Sequence, residues 1–106
     1  MELNKVIKNG NLFSIYGKLL TPNQQKILNA YYFDDLGLTE ISELFGITRQ
    51  AVLDAINKAN DTLNKFENIL KIEDNNKKVL KCLNELEVLT SDKKALSLIE
   101  EIKNIL

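Results

Sequence analysis

Apolar residues recur at three- and four-residue spacing through almost the whole chain, and this periodicity restricts the fold to packed helices. No segment shows the period-two alternation that predicts a β-strand. Only one proline and four glycines occur in 106 residues, which argues against a turn-rich β protein. The pattern therefore predicts an all-α fold of five or six helices.

Capping signals and breaks in the apolar pattern set the helix boundaries. Thr21-Pro22-Asn23-Gln24 offers an N-cap threonine, a proline at the first helical position and a capping-box glutamine. Gly37 is expected to end the second helix in a left-handed conformation. Asn9-Gly10 marks a candidate break in the first helix, and Glu73-Asp74-Asn75 an expected break after the fourth. The predicted segments are about 3–20, 22–33, 39–45, 49–70, 76–89 and 93–106.

The stretch 38–63 has the pattern of a helix-turn-helix unit, in which a short helix, a tight turn and a second helix follow one another. Gly46 supplies the positive φ of the turn, and Thr48 is expected to cap the second helix. Ile47 is expected to fill the angle between the two helices. The residues expected to bury or closely pack the two helices are Ile41, Ser42, Phe45, Val52, Ala55 and Ile56. A plain αα-corner with no role in DNA binding is the alternative.

The periodicity also predicts how the chain is divided. Residues 1–71 are expected to form the helix-turn-helix domain, with the helix-turn-helix unit at about 39–66. Residues 72–106 are expected to form a C-terminal helical hairpin. The apolar stripe of the last helix continues to Leu106, and chain ends fray unless they are docked. We therefore expect this helix to pack on the long fourth helix or on a second subunit, and the sequence leaves both arrangements open.

Composition excludes several kinds of chemistry. The chain has no histidine, so it has no histidine base and no histidine-ligated metal. Its single cysteine, Cys82, rules out an intrachain disulfide and a cysteine-based zinc site, and we expect a buried structural thiol. Asp34-Asp35 has no third ligand nearby in the sequence, so it is interpreted as an acidic helix end. No catalytic residue, metal site or cofactor is predicted.

No apolar run approaches the roughly 20 residues that a membrane-spanning helix needs. Lys5 and Lys8 are not followed by an apolar segment, so no signal peptide is expected. A single free cysteine suits a reducing compartment. We therefore expect a cytoplasmic protein without membrane insertion.

The outer face of the second helix of the unit carries the candidate binding residues. With Val52, Ile56, Ala59 and Leu63 turned inward, the residues Gln50, Asp54, Asn57 and Asp61 lie along the opposite strip. Amides can contact adenine edges, an arginine can contact guanine or phosphate, and a leucine can contact a thymine methyl group. The candidate nucleic-acid-binding residues are Thr48, Arg49, Gln50, Leu53, Asn57 and Lys58.

The charge balance argues against strong binding of duplex DNA by this face. Whole-chain charge is 14 basic against 15 acidic residues, whereas phosphate contacts require basic side chains. Residues 39–66 contain three basic and four acidic residues, which gives a net charge of −1. Asp54 and Asp61 lie within the strip itself. A solvated face or a protein-contact face is therefore an alternative interpretation.

The sequence also resembles a known bacterial family. The resemblance covers roughly residues 12–70, and its most distinctive part is Tyr31-Tyr32 followed by Asp34-Asp35. Further matching positions are Leu12-Phe13, Tyr16, Leu19-Leu20-Thr21, Gln24, Ile41, the run Phe45-Gly46-Ile47-Thr48-Arg49-Gln50-Ala51-Val52, and Asp54. These residues resemble the YlxM-like family of small helix-turn-helix proteins. The same segment is more distantly similar to region 4 of sigma factors, with a long recognition helix, although only Arg49 stands where that region carries several arginines.

The resemblance implies a non-enzymatic accessory protein of the signal recognition particle pathway, which modulates the particle through its protein or its RNA. The alternative is a sequence-specific transcription regulator that binds duplex DNA. A homodimer is expected in that case, because one short helix reads few base pairs. Additional phosphate contacts would come from Lys5, Lys8, Lys18 and Lys26.

Overall fold

The computed structural model of the chain describes residues 2–106, which form six α-helices and no strand. In chain order the elements are α1 (Glu2–Tyr16), a 3-10 turn (Gly17–Leu19), α2 (Pro22–Tyr32), α3 (Leu38–Phe45), α4 (Arg49–Leu70), α5 (Ile72–Leu89) and α6 (Lys93–Ile105). The predicted all-α helix-turn-helix fold is confirmed. Backbone contacts divide the chain into a first unit that ends at Leu70 and a second unit, Lys71–Leu106.

In the first unit, the long helix α4 contacts α1, α2 and α3 and forms the centre of the packing. Its inner face consists of Val52, Ile56, Ala59 and Leu63, all buried as predicted. Burial of this apolar face supplies most of the driving force for a helix of this kind. The other buried apolar residues of this unit are Leu12, Phe13, Tyr16, Leu20, Ile27, Leu28, Ala30 and Ile41.

Helix α1 runs unbroken through Asn9 and Gly10, so the candidate break at this position is wrong. Asn9 is buried, and its side-chain oxygen accepts a hydrogen bond from Nδ2 of Asn64 at 3.1 Å. Gly10 lies against the ring of Tyr32. Tertiary contacts at both positions therefore outweigh the low helix propensity of glycine and asparagine.

Helix α2 begins as predicted but ends differently. Thr21 and Gln24 form the expected capping box, with Thr21 Oγ1 accepting from the Gln24 amide at 3.2 Å. The left-handed residue beyond its end is Asp35, with φ of 56°, and not Gly37. Aspartate tolerates this conformation better than most residues. Gly37 is extended and precedes α3, where its amide donates to the Glu40 carboxylate at 3.2 Å.

A single residue separates α4 from α5. Lys71 adopts a left-handed conformation with φ of 54°, and this interrupts the helical path. The predicted break at Glu73-Asp74-Asn75 is wrong, because these residues lie in the first turn of α5. Acidic side chains are favourable there, since the N-terminus of a helix carries a partial positive charge.

The second unit consists of α5 and α6. Leu83 on α5 and Ile99 on α6 are its buried apolar residues. Asp92 caps α6, and its Oδ1 accepts from the Lys94 amide at 3.3 Å. Cys82 is exposed, so the expectation of a buried thiol is wrong. The residue next to it, Leu83, turns inward instead, and one residue of α-helix is a rotation of about 100°.

Candidate nucleic-acid interface

The turn between α3 and α4 has the geometry that the sequence predicts. Gly46 ends α3 with φ of 67°, and its amide donates to the Ser42 carbonyl. The Ile47 amide donates to the same carbonyl at 3.1 Å. Ile47 still leaves 38% of its surface exposed, so it fills the angle between the helices only in part. Both bonds are accepted by the Ser42 carbonyl, and they accompany the turn of the chain toward α4.

Thr48 caps α4, as predicted. Its hydroxyl oxygen accepts from the Ala51 amide at 3.0 Å, which satisfies one of the amide groups that has no partner within the helix. The cap fixes the first turn of α4, and Arg49 and Gln50 extend from this turn. The orientation of the candidate binding residues therefore depends on the Thr48 hydroxyl.

We expect Thr48→Ala to lower the free energy of unfolding by about 1 kcal/mol, because the amide loses its partner. Urea unfolding followed by far-UV circular dichroism measures this change. Thr48→Ser keeps the hydroxyl and is expected to remain close to the wild type. Equal stability of the alanine variant and the wild type would show that the cap contributes nothing.

The six candidate residues are all exposed on the surface of the first unit. Arg49, Gln50 and Leu53 lie together, and with Leu38 they line a shallow groove of about 240 Å³. Leu53 and Asn57 line a neighbouring, larger groove. Leu53 and Leu38 border both grooves, so the two form one continuous surface along α4.

A side-chain hydrogen bond joins two neighbouring residues of the candidate strip. Nε2 of Gln50 donates to Oδ1 of Asp54 at 2.9 Å. A bidentate contact to adenine uses both the oxygen and the nitrogen of a glutamine amide. Nε2 carries two hydrogens, so Gln50 can keep this bond and still contact adenine, but the Asp54 carboxylate then stays beside the amide and faces the DNA. The spacing of four residues on one helix face is the sequence signal for this pair.

The larger groove was not anticipated from the sequence. It has a volume of about 540 Å³ and lies between α1, α2, the start of α3 and α4. Among the residues whose side chains the structure describes, its polar lining consists of amides, tyrosines and one lysine without a carboxylate, in contrast to the strip on α4. The lining residues are Lys5, Val6, Asn9, Tyr31, Tyr32, Leu38, Leu53, Ile56, Asn57 and Asn60. Tyr31 and Tyr32 are both half-buried, and both line this groove.

One hydrogen bond and one aromatic contact fix the tyrosine wall of this groove. The Tyr32 hydroxyl donates to Oδ1 of Asn60 at 3.0 Å, and the rings of Tyr31 and Tyr32 contact edge-on at 5.0 Å. Burial raises the pKa of Tyr32, so its phenol stays protonated at neutral pH and acts as a donor. The position of the Tyr32 ring is therefore fixed by α4, while Asn57 lies one turn before Asn60 on the same helix.

Within residues 2–106, no group of three or more acidic or cysteine side chains is arranged to hold a metal ion. Asp34 and Asp35 follow the end of α2, and both are exposed. In the same part of the chain, no helix combines the length and the apolar character that membrane crossing requires.

Comparison with known proteins agrees with this architecture. Residues 3–105 match the model of the UPF0122 family, "Putative helix-turn-helix protein, YlxM / p13 like". A UPF0122 protein of Oceanobacillus iheyensis is 36% identical over 103 residues, which cover 97% of this chain and 98% of that protein. One from Lactococcus lactis subsp. cremoris is 37% identical over 106 residues, covering 99% and 96%. One from Ureaplasma parvum is 39% identical over 94 residues, covering 89% and 88%. The chain therefore belongs to the UPF0122 family of YlxM-like helix-turn-helix proteins.

Proposed function

We propose that this protein is a non-enzymatic accessory protein of the signal recognition particle pathway, which acts in the cytoplasm by binding the particle's protein or RNA. The observation that carries the proposal is the Gln50–Asp54 hydrogen bond on the exposed face of α4. It places a carboxylate at the centre of the strip that a DNA reader would insert into the major groove. The resemblance to the YlxM-like family supplies the pathway.

The adjoining groove supports the RNA part of this proposal. Proteins recognise RNA mainly at unpaired bases, which stack on aromatic rings and form hydrogen bonds with side chains. Tyr31 and Tyr32 offer rings, Asn57 offers an exposed amide and Lys5 offers a cation for phosphate. Because the described residues that line this groove include no carboxylate, a phosphate group meets less repulsion from them than from the α4 strip.

A second candidate function is a transcription regulator that binds duplex DNA as a homodimer. The observation that favours it is the geometry of the turn, in which Gly46 and the Thr48 cap leave the first turns of α4 exposed. Arg49, Gln50, Leu53, Asn57 and Lys58 would then contact bases or phosphates. In both cases we propose that the protein is a homo-oligomer.

Fluorescence anisotropy distinguishes the two functions. The probes are the RNA hairpin of the signal recognition particle and a random DNA duplex, each titrated at low salt and at about 150 mM salt. If RNA is the partner, we expect the hairpin to bind more tightly than the duplex, and Asn57→Ala to weaken it about tenfold. The matched control is Asn84→Ala, an exposed amide on α5 that is expected to change nothing.

Arg49→Ala tests the alternative in the same assay. A duplex affinity that falls steeply with salt and drops about tenfold in Arg49→Ala would establish the DNA reader and overturn the RNA proposal. If neither probe binds, a pull-down with the purified particle protein decides the protein part of the proposal. Failure to recover the chain in that pull-down as well would overturn the accessory function.

A further inference from the structure

The second unit buries very little of its own apolar surface. Leu83 and Ile99 are buried, but Leu89 and Ile105 leave 81% and 78% of their surfaces exposed. Domains below about 40 residues usually need a disulfide, a metal or association with another chain. The chain has one cysteine, so an intrachain disulfide is impossible here. The further large apolar residues exposed in α5 and α6 are Ile72, Val79, Leu80, Leu86, Val88, Leu98 and Ile102.

Most of these side chains lie on one flank of each helix. Successive residues of an α-helix are rotated by about 100°. About the axis of α5, four residues are rotated from Leu83 by roughly 40° to 120° in one sense: Val79, Cys82, Leu86 and Leu89. About the axis of α6, three residues are rotated from Ile99 by roughly 60° to 120° in the same sense of rotation: Leu98, Ile102 and Ile105. The two helices thus carry the same arrangement of apolar residues.

An ion pair shows that the two flanks lie on the same side of the unit. Lys103 Nζ contacts Glu87 Oε2 at 2.9 Å. Glu87 is rotated by about 40° from Leu83 in the opposite sense, and so is Lys103 from Ile99. Since these two opposite flanks meet in the ion pair, the apolar flanks share the other side. We call this surface the apolar face: Val79, Cys82, Leu86 and Leu89 of α5 with Leu98, Ile102 and Ile105 of α6.

Charged residues border the apolar face in a regular order. On α6, Lys94 and Glu101 lie two turns apart at its outer edge, and on α5 Lys78 and Glu85 occupy the equivalent positions. Each helix edge is therefore basic toward its N-terminus and acidic toward its C-terminus. Lys78 also pairs with Asp74 of its own helix at 3.1 Å, so the α6 pair is the cleaner test of these charges.

This charge order makes the apolar face complementary to itself. In a two-fold contact the same surface is used by both copies. If a second copy approaches with its helices antiparallel, each lysine edge meets a glutamate edge and the apolar residues pack together. From the exposed area and this charge complementarity we infer that the occupant of the apolar face is a second copy of the chain. The inference rests on the homo-oligomer of the proposed function and identifies its contact surface.

Sedimentation velocity of the full chain at increasing concentration tests the inference. The wild type is expected to reach twice the 12.1 kDa of one chain. Leu98→Asp places a carboxylate in the apolar face and is expected to keep the protein monomeric over the same range. Asn104→Asp is the matched control, because Asn104 is exposed on the same helix and is rotated by about 140° from Ile99 on the side away from the apolar face. It is expected to leave the dimer intact, and circular dichroism checks that both variants remain helical.

Charge reversal on α6 tests the antiparallel arrangement. Lys94→Glu alone and Glu101→Lys alone are each expected to raise the dimer dissociation constant about three- to tenfold at low salt. The double variant restores opposite charges and is expected to return to the wild-type value. Single reversals without effect, or a double variant weaker than both, would overturn the arrangement.

The outcomes distinguish an incorrect contact surface from an incorrect proposal of a homo-oligomer. A wild-type dimer that Leu98→Asp leaves intact would overturn the apolar face while the proposed homo-oligomer stands. A wild type that stays monomeric at every concentration would overturn both the apolar face as a contact surface and the proposed homo-oligomer. Neither result changes the anisotropy test of nucleic-acid binding by Arg49 and Asn57.

Discussion

Leu63→Ala is expected to lower the free energy of unfolding of the first unit by about 2–5 kcal/mol. Leu63 is completely buried on the inner face of α4 and belongs to the core that α1, α2 and α3 share with this helix. Truncation removes three carbon atoms from a site where rigid helices meet. The loss combines the transfer energy of those atoms with the cost of the cavity that they leave.

The matched control for this prediction is Leu53→Ala on the same helix. Leu53 is 37% exposed, so its truncation opens no closed cavity and is expected to cost clearly less. Urea unfolding of both variants, followed by far-UV circular dichroism, measures the difference. Equal losses in the two variants would contradict the assignment of Leu63 to the shared core.

Gly46→Ala is expected to destabilise the first unit by about 1–2 kcal/mol, because L-residues other than glycine are strained at positive φ. The φ of Gly46 is 67°, and a β-carbon built at this position meets no other atom within 4 Å. The two chain neighbours of Gly46 are not among these atoms, so the expected loss comes from the local strain between the β-carbon and the adjacent backbone and not from contact with another part of the fold. It is the second of the large effects that we expect.

Asparagine provides the control for Gly46, since it visits the left-handed region more readily than alanine. Gly46→Asn is expected to lose less stability than Gly46→Ala in the same urea titration. If the alanine variant were as stable as the wild type, the turn would not depend on a left-handed residue. The helix-turn-helix geometry would then need another explanation.

Several features of the fold were predictable from the sequence, for reasons that are local. The spacing of Thr21 and Gln24 predicts their capping box. The residue types of Gly46 and Thr48 predict the turn. The inner face of α4 follows from the periodicity of Val52, Ile56, Ala59 and Leu63. These features depend on contacts within one or two helical turns, so sequence spacing is sufficient to locate them.

Other features depended on contacts that the sequence does not display. Gly10 and Asn9 look like a helix break, yet the packing of Tyr32 and the bond from Asn64 keep α1 continuous. Cys82 belongs to an apolar pattern, but Leu83 takes the buried position beside it. The left-handed residue after α2 is Asp35, although Gly37 has the stronger intrinsic preference for this conformation. In each case the outcome depends on neighbouring elements.

The candidate site also has some features that the sequence predicts and others that only the structure reveals. Residue type and spacing were enough to place Arg49, Gln50, Leu53, Asn57 and Lys58 on the exposed face of α4. The Gln50–Asp54 bond needed side-chain coordinates, because a spacing of four residues permits the bond without requiring it. The groove with Tyr31 and Tyr32 needed the packing of four helices, since its lining residues are far apart in the chain.

The sequence by itself determined the helical class, most helix positions, the turn at Gly46 and the buried face of α4. The physical reason is that helix periodicity, capping and left-handed preference act over a few residues. Only the tertiary structure decided the continuity of α1, the amide-lined groove, the exposure of Cys82 and the shared side of the α5 and α6 apolar flanks. These features arise where separate helices meet, and the free energy of such contacts exceeds the small propensity differences within one helix.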